Sequence, residues 1–239
     1  ALAQPPRLAI GCGRQGALAT RLLRQRGSTA VQILDPRIDP RHWDLVIAPE
    51  HDGLVGDNVI TLVGSLNPVD TLWLAQARAA FASFADLPRP RTAVLLGGPS
   101  AHARFDLAAF EALASQLDAA LAHEGGSVMV TTSRRTPTDV IAALRKRYVE
   151  TPNVVWCGDA DGINPYPGML AWADRIVASP DSVNMLSEAC ATDVPVFVFN
   201  PDGVSGRPRR FLDALLASGR IQRMQSTLAP FPVEPLRET

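Results

Sequence analysis

The sequence predicts an α/β protein built on parallel sheets and divided into two lobes. Short β-branched runs alternate with longer amphipathic ones along the chain, the pattern of βα units feeding a parallel sheet. Runs such as Ala93-Val-Leu-Leu96 and Val196-Phe-Val-Phe199 are continuously apolar, as strands buried on both faces are. The segment Asp86-Leu-Pro-Arg-Pro-Arg91 interrupts the alternation; its prolines stop a helix and favour extended backbone, so it reads as a linker.

In the first lobe, residues 1–86, strands are expected at Arg7–Ile10, Ala30–Leu34, Asp44–Ala48 and Val59–Leu62. Leu18, Leu22 and Leu23 recur at helical spacing within Gln15–Arg26. Thr71–Ala85 is a second helix, with Leu72, Ala75, Ala79 and Ala82 on one apolar face and Leu74 and Phe81 alongside. The second lobe, residues 87–225, repeats the pattern with strands at Thr92–Leu96, Ser127–Thr131, Asn153–Trp156, Arg175–Ala178 and Pro195–Phe199. Its helices are expected at Asp106–His123, Pro137–Val149, Gly168–Ala173 and Asp181–Ala191. A last helix, Arg207–Ser218, stops at Gly219, where a C-cap glycine belongs. Residues 226–239 form a proline-rich tail, expected to wrap a surface.

Composition removes several function classes. A chain of 239 residues that is 46% hydrophobic can bury real cores and is not disordered. A net charge of −1 argues against nucleic acid, or an anionic membrane, held through bulk charge. No stretch approaches the roughly 18–20 apolar residues of a membrane span, although peripheral membrane contact stays open. Cys12, Cys157 and Cys190 are odd in number and far apart, which is no disulfide framework and leans towards a reducing compartment. With no secretory-type leader at the start, a cytoplasmic location is expected.

Ligands of doubly wound sheets bind outside the carboxyl ends of strands, so those loops carry the candidate chemistry. Gly11-Cys-Gly-Arg-Gln-Gly16 follows a strand and opens a helix, as dinucleotide-binding turns do, and Asp35 stands where such a site wants an acid. Because Asp35 precedes Pro36 and no clear β–α–β continuation follows, a structural glycine turn, or an acceptor-side loop, accounts for Gly11 and Gly13 better than dinucleotide binding does. Gly97-Gly-Pro-Ser100 frees the N–H groups of Gly97 and Gly98 for an anion or a close neighbour. In Thr131-Thr-Ser-Arg-Arg-Thr-Pro137, the hydroxyl of Ser133 and the guanidiniums of Arg134 and Arg135 converge just before a helix, a phosphate-binding combination. In Ser179-Pro-Asp-Ser-Val-Asn-Met-Leu-Ser-Glu188, Asp181 or Ser182 can cap a helix that carries Glu188 nearly two turns in. Asp159-Ala-Asp161 matches a metal-binding D-x-D, but flanking glycines suit a turn, and no metal site is expected. His51, in Pro49-Glu-His-Asp-Gly53, follows a strand, and an interlobe position there would suit His51 or Asp52 as a general base.

Taken together, Gly11-Cys-Gly-Arg-Gln, Pro49-Glu-His-Asp-Gly53, Gly97-Gly-Pro-Ser100, Ser133-Arg-Arg-Thr-Pro137, Asn164-Pro-Tyr166 and Asp181-Ser182 with Met185 and Ser187-Glu188-Ala189 resemble the mitochondrial-fission ELM-type family. The resemblance covers almost the whole chain. The second lobe is also similar to the donor-binding lobe of GT-B glycosyltransferases, which implies two Rossmann-like lobes. It further implies that Glu188 binds the ribose of a nucleotide sugar and that Ser182, Ser133, Arg134 and Arg135 contact its diphosphate. Relatives carry another βα unit ahead of the Gly11 region, so the N-terminal lobe is expected to be reduced. The expected function is a GT-B-like, metal-independent glycosyltransferase that uses a nucleotide-diphosphate sugar as substrate and needs no cofactor. The first alternative is a non-catalytic interaction module on the same fold. The second is an NAD-dependent nucleotide-sugar epimerase, for which the chain offers no Tyr-x-x-x-Lys pair.

Overall fold

The computed structural model describes residues 4–148 and 153–237. The chain divides into two compact units, one ending at Leu66 and the other running from Asn67 to Arg237.

The first unit contains β1 (Leu8–Cys12), α1 (Gly13–Arg24), β2 (Thr29–Ile33), β3 (Leu45–Pro49) and β4 (Val59–Leu62). The strands are parallel and lie in the order β1-β2-β3-β4. Helix α1 packs on one face, around a core of Ala17, Ala30, Trp43, Val46 and Ala48. Two glycines bring it that close: a Cβ on Gly11 would stand 2.7 Å from Thr20 Cγ2, and one on Gly16 would stand 3.1 Å from Gly11 Cα. Trp43 Nε1 donates to Thr20 Oγ1 at 2.8 Å, so the largest core side chain also satisfies its polar atom.

The other face of this sheet is apolar too. Register aligns Cys12, Ile33, Ile47 and Ile60 in one row and Ile10, Val31 and Leu45 in another. Parallel sheets are usually covered on both faces. Here Leu8, Ile10 and Ile60 are 53%, 61% and 50% exposed. The N-terminal unit has four strands and a single α-helix among its described residues.

The second unit opens with α2 (Thr71–Ala80), capped by Asp70, whose carboxylate accepts from the Trp73 N–H at 2.7 Å. There follow β5 (Arg91–Leu96), α3 (Leu107–Glu124), β6 (Ser127–Thr132), α4 (Thr138–Arg147), β7 (Val154–Trp156), α5 (Tyr166–Trp172), β8 (Arg175–Ala178), α6 (Val183–Cys190), β9 (Val196–Val198), α7 (Gly206–Ala217) and β10 (Ile221–Arg223). Val149, the expected end of α4, lies outside the described residues. All six strands are parallel, in the order β7-β6-β5-β8-β9-β10. Every residue of β5 and β6 is buried, as central strands with apolar stretches such as residues 93–96 and 128–130 are. Phe105, Phe110, Leu113 and Leu117 fill the space between α3 and the sheet.

The division falls ahead of α2 rather than at the 86–91 proline segment, and packing gives the reason. Phe81, just past α2, lies against Gly168 of α5 so closely that a Cβ there would meet its Cγ at 2.5 Å. Arg78 Nε donates to the Ala171 carbonyl at 2.9 Å, and Trp172 Nε1 to the Arg78 carbonyl at 3.3 Å. The tail lies along the same unit: Phe231 meets Phe197 edge to face at 5.5 Å, and Arg237 Nε donates to the Ala191 carbonyl at 3.0 Å. No helix among the described residues is long and apolar enough to cross a membrane.

Candidate functional site

Strands β5, β6 and β7 step outward in one direction, whereas β8, β9 and β10 step outward in the other from beside β5. The loops leaving the carboxyl ends of β5 and β8 therefore part, and the crevice between them is the topological switch point at which such sheets bind ligands. Among the described residues of the first unit the strand order runs β1-β2-β3-β4 without reversal.

A cavity of about 250 Å³ opens there. Gly97, Ser133, Arg135, Ser182 and Glu188 line it, as do Leu96, Thr131, Thr132, Trp156, Asn164, Tyr166, Asn184 and Met185. Of the residues expected at a ligand in this unit, Gly98, Arg134 and Asp181 stand outside the lining. Arg134 is exposed.

Asp181 lies under the glycine loop instead, its side chain 0% exposed. The Gly98 N–H donates to its Oδ2 at 3.0 Å, Ser179 Oγ donates to its Oδ1 at 2.6 Å, and Arg135 pairs with Oδ2 at 2.9 Å. The Gly97 N–H donates to Ser179 Oγ at 2.8 Å. Both glycine donors are thus engaged within the protein. A Cβ on Gly97 would stand 2.1 Å from Asp181 Oδ2, and one on Gly98 2.1 Å from the Arg135 carbonyl oxygen. Close approach to these neighbours is what requires glycine at the two positions. Ser182 takes the N-cap of α6, accepting from the Met185 N–H at 3.4 Å.

Glu188 sits half-buried on the cavity wall, and Tyr166 donates its hydroxyl to Glu188 Oε2 at 2.5 Å. Burial pushes the Glu188 carboxyl above its usual range, and the Tyr166 hydrogen bond opposes that rise without cancelling it. The Tyr166 phenol is raised well above its ordinary value by burial and by the neighbouring Glu188 charge. Sequence reasoning missed Trp156, Asn184 and the pairing role of Tyr166. Trp156 ends the third strand of the unit, so the rule that ligands sit at strand carboxyl ends was the available signal.

In the first unit, the ends of β2 and β3 are joined by Arg37, which pairs with Asp35 at 2.9 Å and with Asp52 at 3.5 Å. His51 lies beside Asp52 in the short 3-10 turn Glu50–Asp52. Gly13 takes a positive φ of 68° where α1 begins. Asp161 of the D-x-D segment is held by Arg145 at 2.7 Å and by the Cys157 N–H at 2.7 Å.

Fold and site together define a doubly wound α/β protein with a cavity at the switch point of its second unit. The profile of the family described as Mitochondrial fission ELM1 matches residues 1–239, and the chain belongs to that family. The resemblance read from the motifs is borne out. Mitochondrial fission protein ELM1 of Arabidopsis thaliana is 31% identical over 245 residues, spanning 91% of this chain and 57% of the plant protein. The chain therefore covers little more than half of that relative's length. Uncharacterized protein RP120 of Rickettsia prowazekii (strain Madrid E) is 23% identical over 274 residues, spanning 98% of this chain and 77% of that protein. Among solved structures, Acinetobacter baumannii MurG gives a TM-score of 0.44 at 16% identity, covering 92% of this chain and 61% of its own. The S. aureus MnaA–UDP co-structure gives 0.47 at 12% identity, covering 98% and 70%.

Proposed function

We propose that the second unit binds a nucleotide-diphosphate sugar and that the chain is a GT-B-like, metal-independent glycosyltransferase-type protein. One observation carries the reading: the switch-point cavity brings a half-buried carboxylate, two aromatic side chains and a guanidinium together. Ligand pockets run from about 300 Å³ upward. A space of about 250 Å³ suits a nucleoside, with the rest of the donor reaching outward. Trp156 and Tyr166 supply faces for a base, Glu188 accepts from sugar hydroxyls, and Ser133, Ser182 and Arg135 meet the phosphates. Fixed donors of this kind stabilise a departing diphosphate without reorganising at the moment of transfer. His51 or Asp52, in the first unit, takes the part of base towards an acceptor hydroxyl.

A second reading, a non-catalytic module that binds a protein partner, is favoured by the family's description and by the open apolar face carrying Leu8, Ile10 and Ile60. Calorimetry with UDP, GDP, ADP, CMP, their sugars and NAD separates the readings. One nucleotide should bind selectively, and Glu188→Ala should weaken it about tenfold or more, the worth of hydrogen bonds to a charged group. Silence across the panel from folded protein would favour the partner-binding reading. Selective binding of NAD would move the site to Gly11, Gly13 and Asp35.

A further inference from the structure

Among the described residues, Glu188 is the one carboxylate on the cavity wall, and α6 presents no second charged side chain beside it. Its partner comes from a different helix. Tyr166 opens α5, its N–H held by Asn164 Oδ1 at 3.0 Å, and the residues that follow, Gly168 to Ala171, are all buried. The phenol is therefore anchored on a packed element. Glu188 is flanked on α6 by buried Ser187 and Ala189, so both ends of the hydrogen bond are fixed. The hydroxyl occupies Oε2, whereas Oε1 has no hydrogen-bond partner among the described residues.

We propose that Tyr166 is a positioning residue whose hydroxyl holds the Glu188 carboxylate on the cavity wall so that the site selects a ribonucleotide over its 2′-deoxy analogue. The inference rests on the nucleotide reading given under Proposed function. The physical argument is one of geometry. A carboxylate free to rotate spreads its two acceptors over several directions and accepts one hydroxyl or water about as well as another. A carboxylate clamped through one oxygen presents the other in a single direction, and loss of one sugar hydroxyl then leaves a fixed acceptor unsatisfied. The other charged group lining the cavity is Arg135, from the loop between β6 and α4, and it is already paired with Asp181. Tyr166 is thus the neighbour that sets the carboxylate's orientation.

The test uses the whole chain and the nucleotide that binds best, with its 2′-deoxy counterpart, titrated by calorimetry from mildly acidic to neutral pH. Wild type should prefer the ribonucleotide. Tyr166→Phe keeps the ring and should weaken ribonucleotide binding about 5- to 10-fold, the worth of one hydrogen bond, with most of the ribo preference lost. It should also shift the acid limb of binding to higher pH, because the hydrogen bond that opposes the effect of burial on Glu188 has gone. In a Glu188→Gln background, where preference and limb are both expected to disappear, adding Tyr166→Phe should change little further. A Tyr166→Phe protein that keeps both the preference and the limb overturns the inference while the nucleotide reading stands. Equal weakening by Tyr166→Phe in the Glu188→Gln background overturns it independently. Failure of wild type to bind any nucleotide overturns the nucleotide reading, and the role of Tyr166 with it.

Discussion

Asp181→Ala should lower stability by roughly 3 kcal/mol, because it orphans donors that have no route to water. The carboxylate is fully enclosed and receives the Gly98 N–H, the Ser179 hydroxyl and one arm of Arg135. Arg135 itself is 46% exposed, so its charge can return to solvent when its partner is removed. The penalty therefore comes from the Gly98 and Ser179 donors and from the void, not from the guanidinium. For a unit of this size the loss corresponds to a fall in Tm of about 6–12 °C, readable by circular dichroism. Asp181→Asn should lie between the two, since one amide oxygen can still accept. Gly97→Ala should be costly for the complementary reason: its new methyl would lie on the carboxylate. An Asp181→Ala protein that melts within a degree or two of wild type would mean that water fills the site and satisfies the same groups.

The Gly97 and Gly98 pair also shows how far the sequence was legible. A double glycine after an apolar strand announces close approach, and the structure has it. What comes close cannot be read locally, because the partner is a carboxylate 83 positions along the chain. Strand positions were legible because β5, β6 and β8 each carry a short apolar run, at residues 93–96, 128–130 and 176–178. Their spatial order was not, and the switch point exists only in that order. Strand β10 escaped notice because Ile221-Gln-Arg223 has a single buried residue and is defined by pairing with β9. Helix α2 was expected to end at Ala85; it stops at Ala80, where Phe81 leaves helical geometry with φ −119° and ψ 45° as its ring settles on α5. Glu188 was visible through the family resemblance and its helix position. Tyr166 was not assigned to it, since nothing in a linear reading joins residues 22 apart on two helices.

Glu124→Ala is expected to be the most damaging single change away from the cavity, at about 3–5 kcal/mol, through the guanidinium it would leave behind. Arg175 projects from β8 with only 6% of its side chain exposed. Its Nε donates to Thr92 Oγ1 at 2.8 Å and its Nη1 to the Leu228 carbonyl at 3.2 Å, and Glu124, ending α3, supplies the opposing charge. Neither neutral partner balances a buried cation. The 28% exposure of Glu124 places the alanine variant towards the lower end of that range, since solvent can reach the gap. Glu124→Gln should lose less, because its amide oxygen can still accept. Burial pushes the Glu124 carboxyl up, but the hydrogen bond and charge of Arg175 pull it down further, so its folded value lies below the ordinary one. A depressed carboxylate stabilises the fold above its ordinary pKa, and the contribution disappears as pH falls through the folded value. The stability gap between wild type and Glu124→Gln should therefore be full at neutral pH and narrow on acidification below the usual carboxylate range. Denaturant unfolding across that window reads it directly. A gap of constant size would show that Glu124 acts by packing alone, leaving the Arg175 charge to be balanced by the Thr92 and Leu228 oxygens.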